Sequence, residues 1–160
     1  MSKIFLSYAH DNHRSADKLY KLLAPRLKAA KCGPIEIWRD HLIPFGADWD
    51  GEIQAALAGA DIFMPLCSTA LVASGYAVNR EIKVAQERGM VIVPVALEPM
   101  SFELTNWQGL EKLQVYHLSL PGVRDGRAFT ECNTTDHQIR FADGVMAALC
   151  AAVDRCGVAQ

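Results

Sequence analysis

Short apolar runs alternate with segments of helical periodicity, and this alternation constrains the fold of the chain more than any other feature. Lys3–Ser7, Ile35–Trp38, Ile62–Cys67 and Val91–Leu97 read as strands, and Val115–Leu118 as a weaker fifth. Between the first two runs Ala16, Leu19, Leu23, Leu27 and Ala30 recur at helical spacing. Pro25 should kink or shorten that helix, and Gly33-Pro34 stops it. Asp48 is placed to cap a second helix with the apolar face Trp49, Ile53, Leu57 and Ala60. The second half of Ala70–Arg88 is helical, with Val78, Ile82 and Ala85 on one face and Gly89 as a stop. Ile139, Ala142, Met146, Leu149 and Val153 outline a closing amphipathic helix, after a loop-like stretch from Pro121 to Asn133. Pro65 argues for an edge position or a bulge in its strand. Strands that alternate with helices form a parallel sheet covered on both faces. Five strands in 160 residues suit a flavodoxin-like three-layer α/β fold with strand order 2-1-3-4-5.

The chain has the size of one domain at 160 residues, with 51% hydrophobic and 21% charged residues, as in soluble globular proteins. The formal net charge is −2, and Lys and Arg are scattered without a stripe or run, so no nucleic-acid partner is expected. The longest apolar run, Met90–Leu97, is too short to span a bilayer, so no membrane partner is expected. The N-terminus lacks the pattern of a secretory signal, which points to the cytoplasm. Cys32, Cys67, Cys132, Cys150 and Cys156 form no CxxC pair and no zinc-spaced cluster, so reduced thiols and no bound metal are expected.

In open parallel sheets ligands bind beyond the carboxyl ends of the strands. That rule selects Tyr8–Asn12, Asp40–Gly46 and Ser68–Glu81, all polar and each with an aromatic or apolar residue beside a carboxylate or hydroxyl. None carries a Gly-rich dinucleotide fingerprint or a P-loop, so an ordinary dehydrogenase or NTPase is disfavoured. A receiver domain fits poorly, because Asp11 stands alone where an acidic cluster would be needed.

The same segments carry a family resemblance. Ile4-Phe5-Leu6-Ser7-Tyr8, then Trp38-Arg39-Asp40 with Gly46 and Trp49, then Ser68, Ser74, Tyr76 and Glu81 resemble, in order, the signature of a bacterial TIR domain of the NAD-cleaving type. The resemblance covers residues 3 to 100 well and the remainder loosely. One departure is Ala77, where some catalytic members place a tryptophan four residues before the glutamate; Tyr76 is the bacterial alternative. The resemblance implies one TIR domain over residues 1–160, suited to be the N-terminal effector of a longer protein with a fused or separate sensor module.

The resemblance further implies an NAD+ nucleosidase with NAD+ as substrate and no cofactor. Glu81 would be catalytic, with Ser7, Tyr8, His10, Asp40, Phe45, Ser68, Ser74 and Tyr76 binding substrate. Self-association would activate it through loop 40–47, whose Leu42, Ile43 and Phe45 are costly to expose and whose Gly46 lends freedom. The products would be nicotinamide and ADP-ribose or a cyclic ADP-ribose, and the setting antiphage defence or innate-immune signalling. The alternative is a non-enzymatic adaptor or virulence mimic working through TIR–TIR contacts.

One carboxylate is chemically sufficient for such a cleavage. Nicotinamide departs as a neutral heterocycle and needs no general acid. Positive charge develops on the ribose, and a carboxylate can stabilise it. Each assignment has a plainer rival. A helix glutamate is ordinarily solvated. Ser68 is equally placed to cap a helix, Asp40 to cap its loop, and Tyr8 to pack its own. Trp38 and Trp49 are expected to pack in the core, His10 and His13 to be solvated, and Cys67 to have no catalytic role.

Overall fold

The computed structural model describes residues 1–39, 48–75 and 77–159, with the side chains of 77–79, 158 and 159 outside that description. Strands β1 (Ser2–Ser7), β2 (Ile35–Trp38), β3 (Ile62–Cys67), β4 (Val91–Ile92) and β5 (Val95–Ala96) form a parallel sheet. Its order is β2-β1-β3-β4, with β5 also on β3. The helices are α1 (His13–Lys28), α2 (Trp49–Ala58), α3 (Thr69–Ala73), α4 (Lys83–Glu87) and α5 (Thr135–Ala159). A π-helical segment, Ala77–Ile82, leads directly into α4.

Successive side chains of a strand point to opposite faces, and here each face has its own core. Ile4 and Leu6 of β1 with Ile62, Met64 and Leu66 of β3 pack against Leu19, Leu23 and Leu27 of α1 and Phe141, Val145 and Leu149 of α5. Phe5, Phe63 and Cys67 pack against Ile53 and Leu57 of α2, Leu71 of α3, Ile82, and Trp107. The expected three-layer α/β architecture follows from this alternation.

The fourth run is split in two at the level of Pro65. β3 pairs Ile62 with Val91 and Leu66 with Val95 in one unbroken register, which sets Pro65 opposite Pro94. Pro65 has no N–H to give the ladder on the β4–β5 side, so regular pairing lapses there and resumes beyond, while the backbone of Pro94 faces Tyr116. Pro65 therefore sits near the end of a central strand and not at an edge, which was one of its two expected placements. The expected strand Val115–Leu118 is reduced to isolated bridges, Tyr116 to Val95 and Leu118 to Arg127. The Tyr116 N–H donates to the Pro94 carbonyl at 2.8 Å.

Several local expectations change. α1 runs through Pro25 to Lys28 with Ala16, Leu19, Leu23 and Leu27 buried, so the helix does not stop at the proline, while Ala30 lies beyond its end. The closing helix buries Phe141, Ala142, Val145, Leu149 and Ala152, while Ile139 is 37% exposed, so the core face is rotated from the expected one. Within the stretch expected to be loop, Ala128, Phe129 and Cys132 are buried, with Phe129 edge-on to Phe141 at 5.3 Å. Cys32 and Cys150 form a disulfide, their Cα atoms 5.5 Å apart and 118 residues apart in sequence, which corrects the expectation of five reduced thiols. α1 and α5 lie together on one face of the sheet, so the turn after α1 meets the middle of α5. Sequence spacing carries no trace of that proximity.

Candidate functional site

The site grows from the end of β1. Phe5 faces the α2–α3–α4 side of the sheet, so Ser7, two residues on, faces the same way. There its hydroxyl donates to Glu81 Oε2 at 2.7 Å. Ser7 is 1% exposed, while Glu81 is partly exposed. Glu81 stands in the π-helical segment, whose wider turns change which side chains face the sheet and recur at functional sites in proteins.

Glu81 lines a cleft of about 530 Å³ with Tyr8, His10, Ile53, Trp49 and Ser74. Ala70 and Ala73 of α3 keep one wall low. Trp49 is 49% exposed, so it is a wall of the cleft and not the core residue its helical spacing suggested. It is the first residue of α2, in an exposed first turn.

Three loops around the cleft are tied together behind it. Ser68 Oγ accepts from the Leu71 N–H at 3.1 Å, capping α3, and donates to Asn12 Oδ1 at 2.7 Å. Asn12 Nδ2 donates in turn to Glu98 Oε1 at 2.9 Å. The segments that follow β1, β3 and β5 are thereby linked at the carboxyl end of the sheet. Ser68 is fully buried with its hydroxyl engaged, so the structure places it as a brace behind the cleft wall.

A larger groove of about 1040 Å³ adjoins the cleft and shares Tyr8, His10 and Trp49 with it. Its other lining residues are His13, Arg14, Asp17, Lys18, Lys21 and Arg39. The Arg39 guanidinium lies 3.6 Å over the Tyr20 ring and 3.4 Å from Asp17. Asp17 also pairs with Lys21 at 3.1 Å. The hydrogen bond from Lys21, then that from Arg39, hold the Asp17 carboxyl below its ordinary range despite a desolvation effect of opposite sign.

The sequence model of the TIR domain family matches residues 4–130. The chain belongs to the TIR domain family. A protein of Sinorhizobium fredii named "Uncharacterized protein y4lF" is 33% identical over 101 residues, 61% of this chain. The chain spans 30% of that relative's length. Among solved structures, the TIR domains of the activated Roq1 resistosome directly recognizing the pathogen effector XopQ align with 94% of this chain and 84% of that one, at 12% identity and a TM-score of 0.48.

In this TIR domain Ser7, Tyr8, His10, Ser74 and Glu81 come together from three separate segments, with Ser7 buried and bonded to Glu81 and the other four lining the cleft. Asp40, Phe45, Tyr76 and loop 40–47 lie outside the described residues. Sequence reasoning missed Asn12 and Glu98 as partners, because they are 86 residues apart. It also missed the groove, whose cations look scattered along the chain. The signal for that groove was the i, i+4, i+7 spacing of Arg14, Lys18 and Lys21, which puts them on one helix face. Among the described residues, no helix is long and apolar enough to cross a membrane.

Proposed function

We propose that this TIR domain breaks the nicotinamide–ribose bond of NAD+, with Glu81 as the catalytic carboxylate. The observation that carries this reading is the Ser7–Glu81 hydrogen bond at the wall of an open cleft. A glutamate tied to the end of a central strand is pre-oriented, and pre-orientation is what transition-state stabilisation needs. The bond between the ribose anomeric carbon and the pyridinium nitrogen breaks, and its electron pair leaves with nicotinamide. Positive charge grows on the ribose opposite the carboxylate. Water adds to the anomeric carbon and gives up a proton, yielding ADP-ribose; attack by a nitrogen of the substrate's own adenine yields a cyclic product instead. Tyr8 and Trp49 supply flat surfaces for the nicotinamide or adenine ring.

In this reading self-association completes the site, loop 40–47 provides the contact, and a sensor module controls it in an immune or antiphage setting. A second reading, a TIR adaptor without turnover, is favoured by one observation away from the cleft. Phe102 is 56% and Leu104 91% exposed, as in a surface that meets another protein.

Chromatography of NAD+ incubated with concentrated protein tests the choice, with Glu81→Gln run in parallel. Nicotinamide released by the wild type and not by the variant supports the enzyme. Its absence from an associated wild-type sample sinks the enzyme reading in favour of the adaptor.

A further inference from the structure

We infer that the groove along α1 is a diphosphate-binding subsite, in which Arg14, Lys18 and Lys21 receive the phosphates of a dinucleotide whose ribose reaches Glu81. The inference rests on the reading of the cleft as a dinucleotide site and adds the part of the protein that neutralises its phosphates. Neither a Gly-rich loop nor a P-loop is present in the sequence to take that role.

Geometry and charge converge on this groove. Arg14, Lys18 and Lys21 are exposed and follow i, i+4, i+7 spacing, opposite the buried Ala16–Leu19–Leu23–Leu27 face of the same helix. The stripe is about 10 Å long at 1.5 Å per residue, comparable to the screening length at physiological salt. A diphosphate lying along it therefore interacts with all three cations together. Arg39 adds a fourth permanent cation, against one carboxylate, Asp17, among the groove's lining residues. Asp17 is engaged by Lys21 and Arg39, which leaves the Arg14–Lys18 end the more electropositive. Tyr8 and Trp49 stand where groove and cleft meet, so a ligand crossing from one to the other passes between a ring and a cation. Phosphate held by flexible cations on a helix face is bound as point charge, not by a fixed fork, so affinity must fall with salt.

Calorimetric titration with ADP and with adenosine tests the inference without any turnover. The proteins are the wild type, Glu81→Gln, and the double variant Arg14→Glu/Lys18→Glu, whose fold is checked by its thermal melt. ADP should bind the wild type and Glu81→Gln at least about tenfold more tightly than adenosine does. That advantage should vanish in the double variant and shrink between about 0.05 M and about 0.5 M salt. Equal binding of ADP by the folded double variant, or no advantage of ADP over adenosine in the wild type, overturns the inference. If ADP binds through the stripe while NAD+ is never cleaved, the subsite stands and the catalytic reading falls. If NAD+ is cleaved and ADP ignores the stripe, the reverse holds.

Discussion

The hydroxyl of Ser7 donates to the carboxylate of Glu81 across 2.7 Å, joining the end of the first strand to a helical segment 74 residues later. Ser7 is buried, so the bond is sheltered and oriented by the sheet itself. A hydrogen bond to a charged group is worth about 1.5–3 kcal/mol. Ser7→Ala should therefore slow nicotinamide release by roughly 10- to 100-fold with a smaller change in KM. Steady-state kinetics on NAD+ would check it. A variant as fast as the wild type would show that Glu81 needs no such anchor.

Asn12 accepts from Ser68 and donates to Glu98, so its amide supplies both polarities at once. Asn12→Ala leaves the buried Ser68 hydroxyl without its acceptor and should cost about 1–3 kcal/mol in urea unfolding. Asn12→Asp cannot donate and sets a carboxylate against Glu98; it should be no better than alanine. Equal stability of Asn12→Asp and the wild type would count against the brace.

Gly144 lies in α5 directly against the Tyr116 ring. A Cβ there would come within 2.7 Å of Tyr116 Cε2 and closer still to the hydroxyl. Gly144→Ala should destabilise by about 1–3 kcal/mol through overpacking, although alanine is the better helix former. Tyr116→Phe in the same background should recover part of the loss, because the hydroxyl is the nearest atom. Denaturant unfolding of the two single variants and the double variant reads this directly.

Burial pushes the Tyr116 phenol up to about 12, with Cys132 and Asp143 adding to the shift. The folded chain thus holds a proton that the unfolded chain releases near 10. Stability from this group is complete below pH 10 and declines as the pH rises through 12. Alkaline unfolding curves should move to higher pH in Tyr116→Phe. An unchanged curve would assign the alkaline transition to other groups.

Cys32–Cys150 closes a loop of 118 residues between the turn after α1 and α5. On the chain-entropy view such a closure stabilises by about 4–5 kcal/mol. Adding a reductant should lower the melting temperature of the wild type and leave a Cys32→Ser/Cys150→Ser variant unmoved. Cys67, fully buried with its thiol pushed up to about 12 by desolvation, should resist alkylation in the folded protein at neutral pH.

Much of this fold was legible in the chain. The β1 and β3 strands follow from short apolar runs and the buried face of α1 from a period of 3.6, which are local patterns, while the segment ending in Glu81 follows from its place after β3 and from the family resemblance. The misread elements share a different cause. Pro65 looked like an edge or bulge signal because its place between two paired strands is known only once the register is known. Trp49 looked like core because spacing tells which face a residue is on, not whether anything covers that turn. Ile139 looked buried because the apolar stripe of α5 is broader than the surface it meets.

The sequence by itself determined the layered α/β fold and pointed to three strand ends, the places where ligands bind in open parallel sheets. Periodicity encodes these, since each residue's face depends only on its near neighbours. Tertiary structure alone decided the Ser7–Glu81 bond, the Ser68–Asn12–Glu98 brace, the Cys32–Cys150 pairing and the gathering of scattered cations into one groove. Those relationships join residues brought together by parallel crossovers and helix packing, and a distance across a sheet leaves no mark on local spacing.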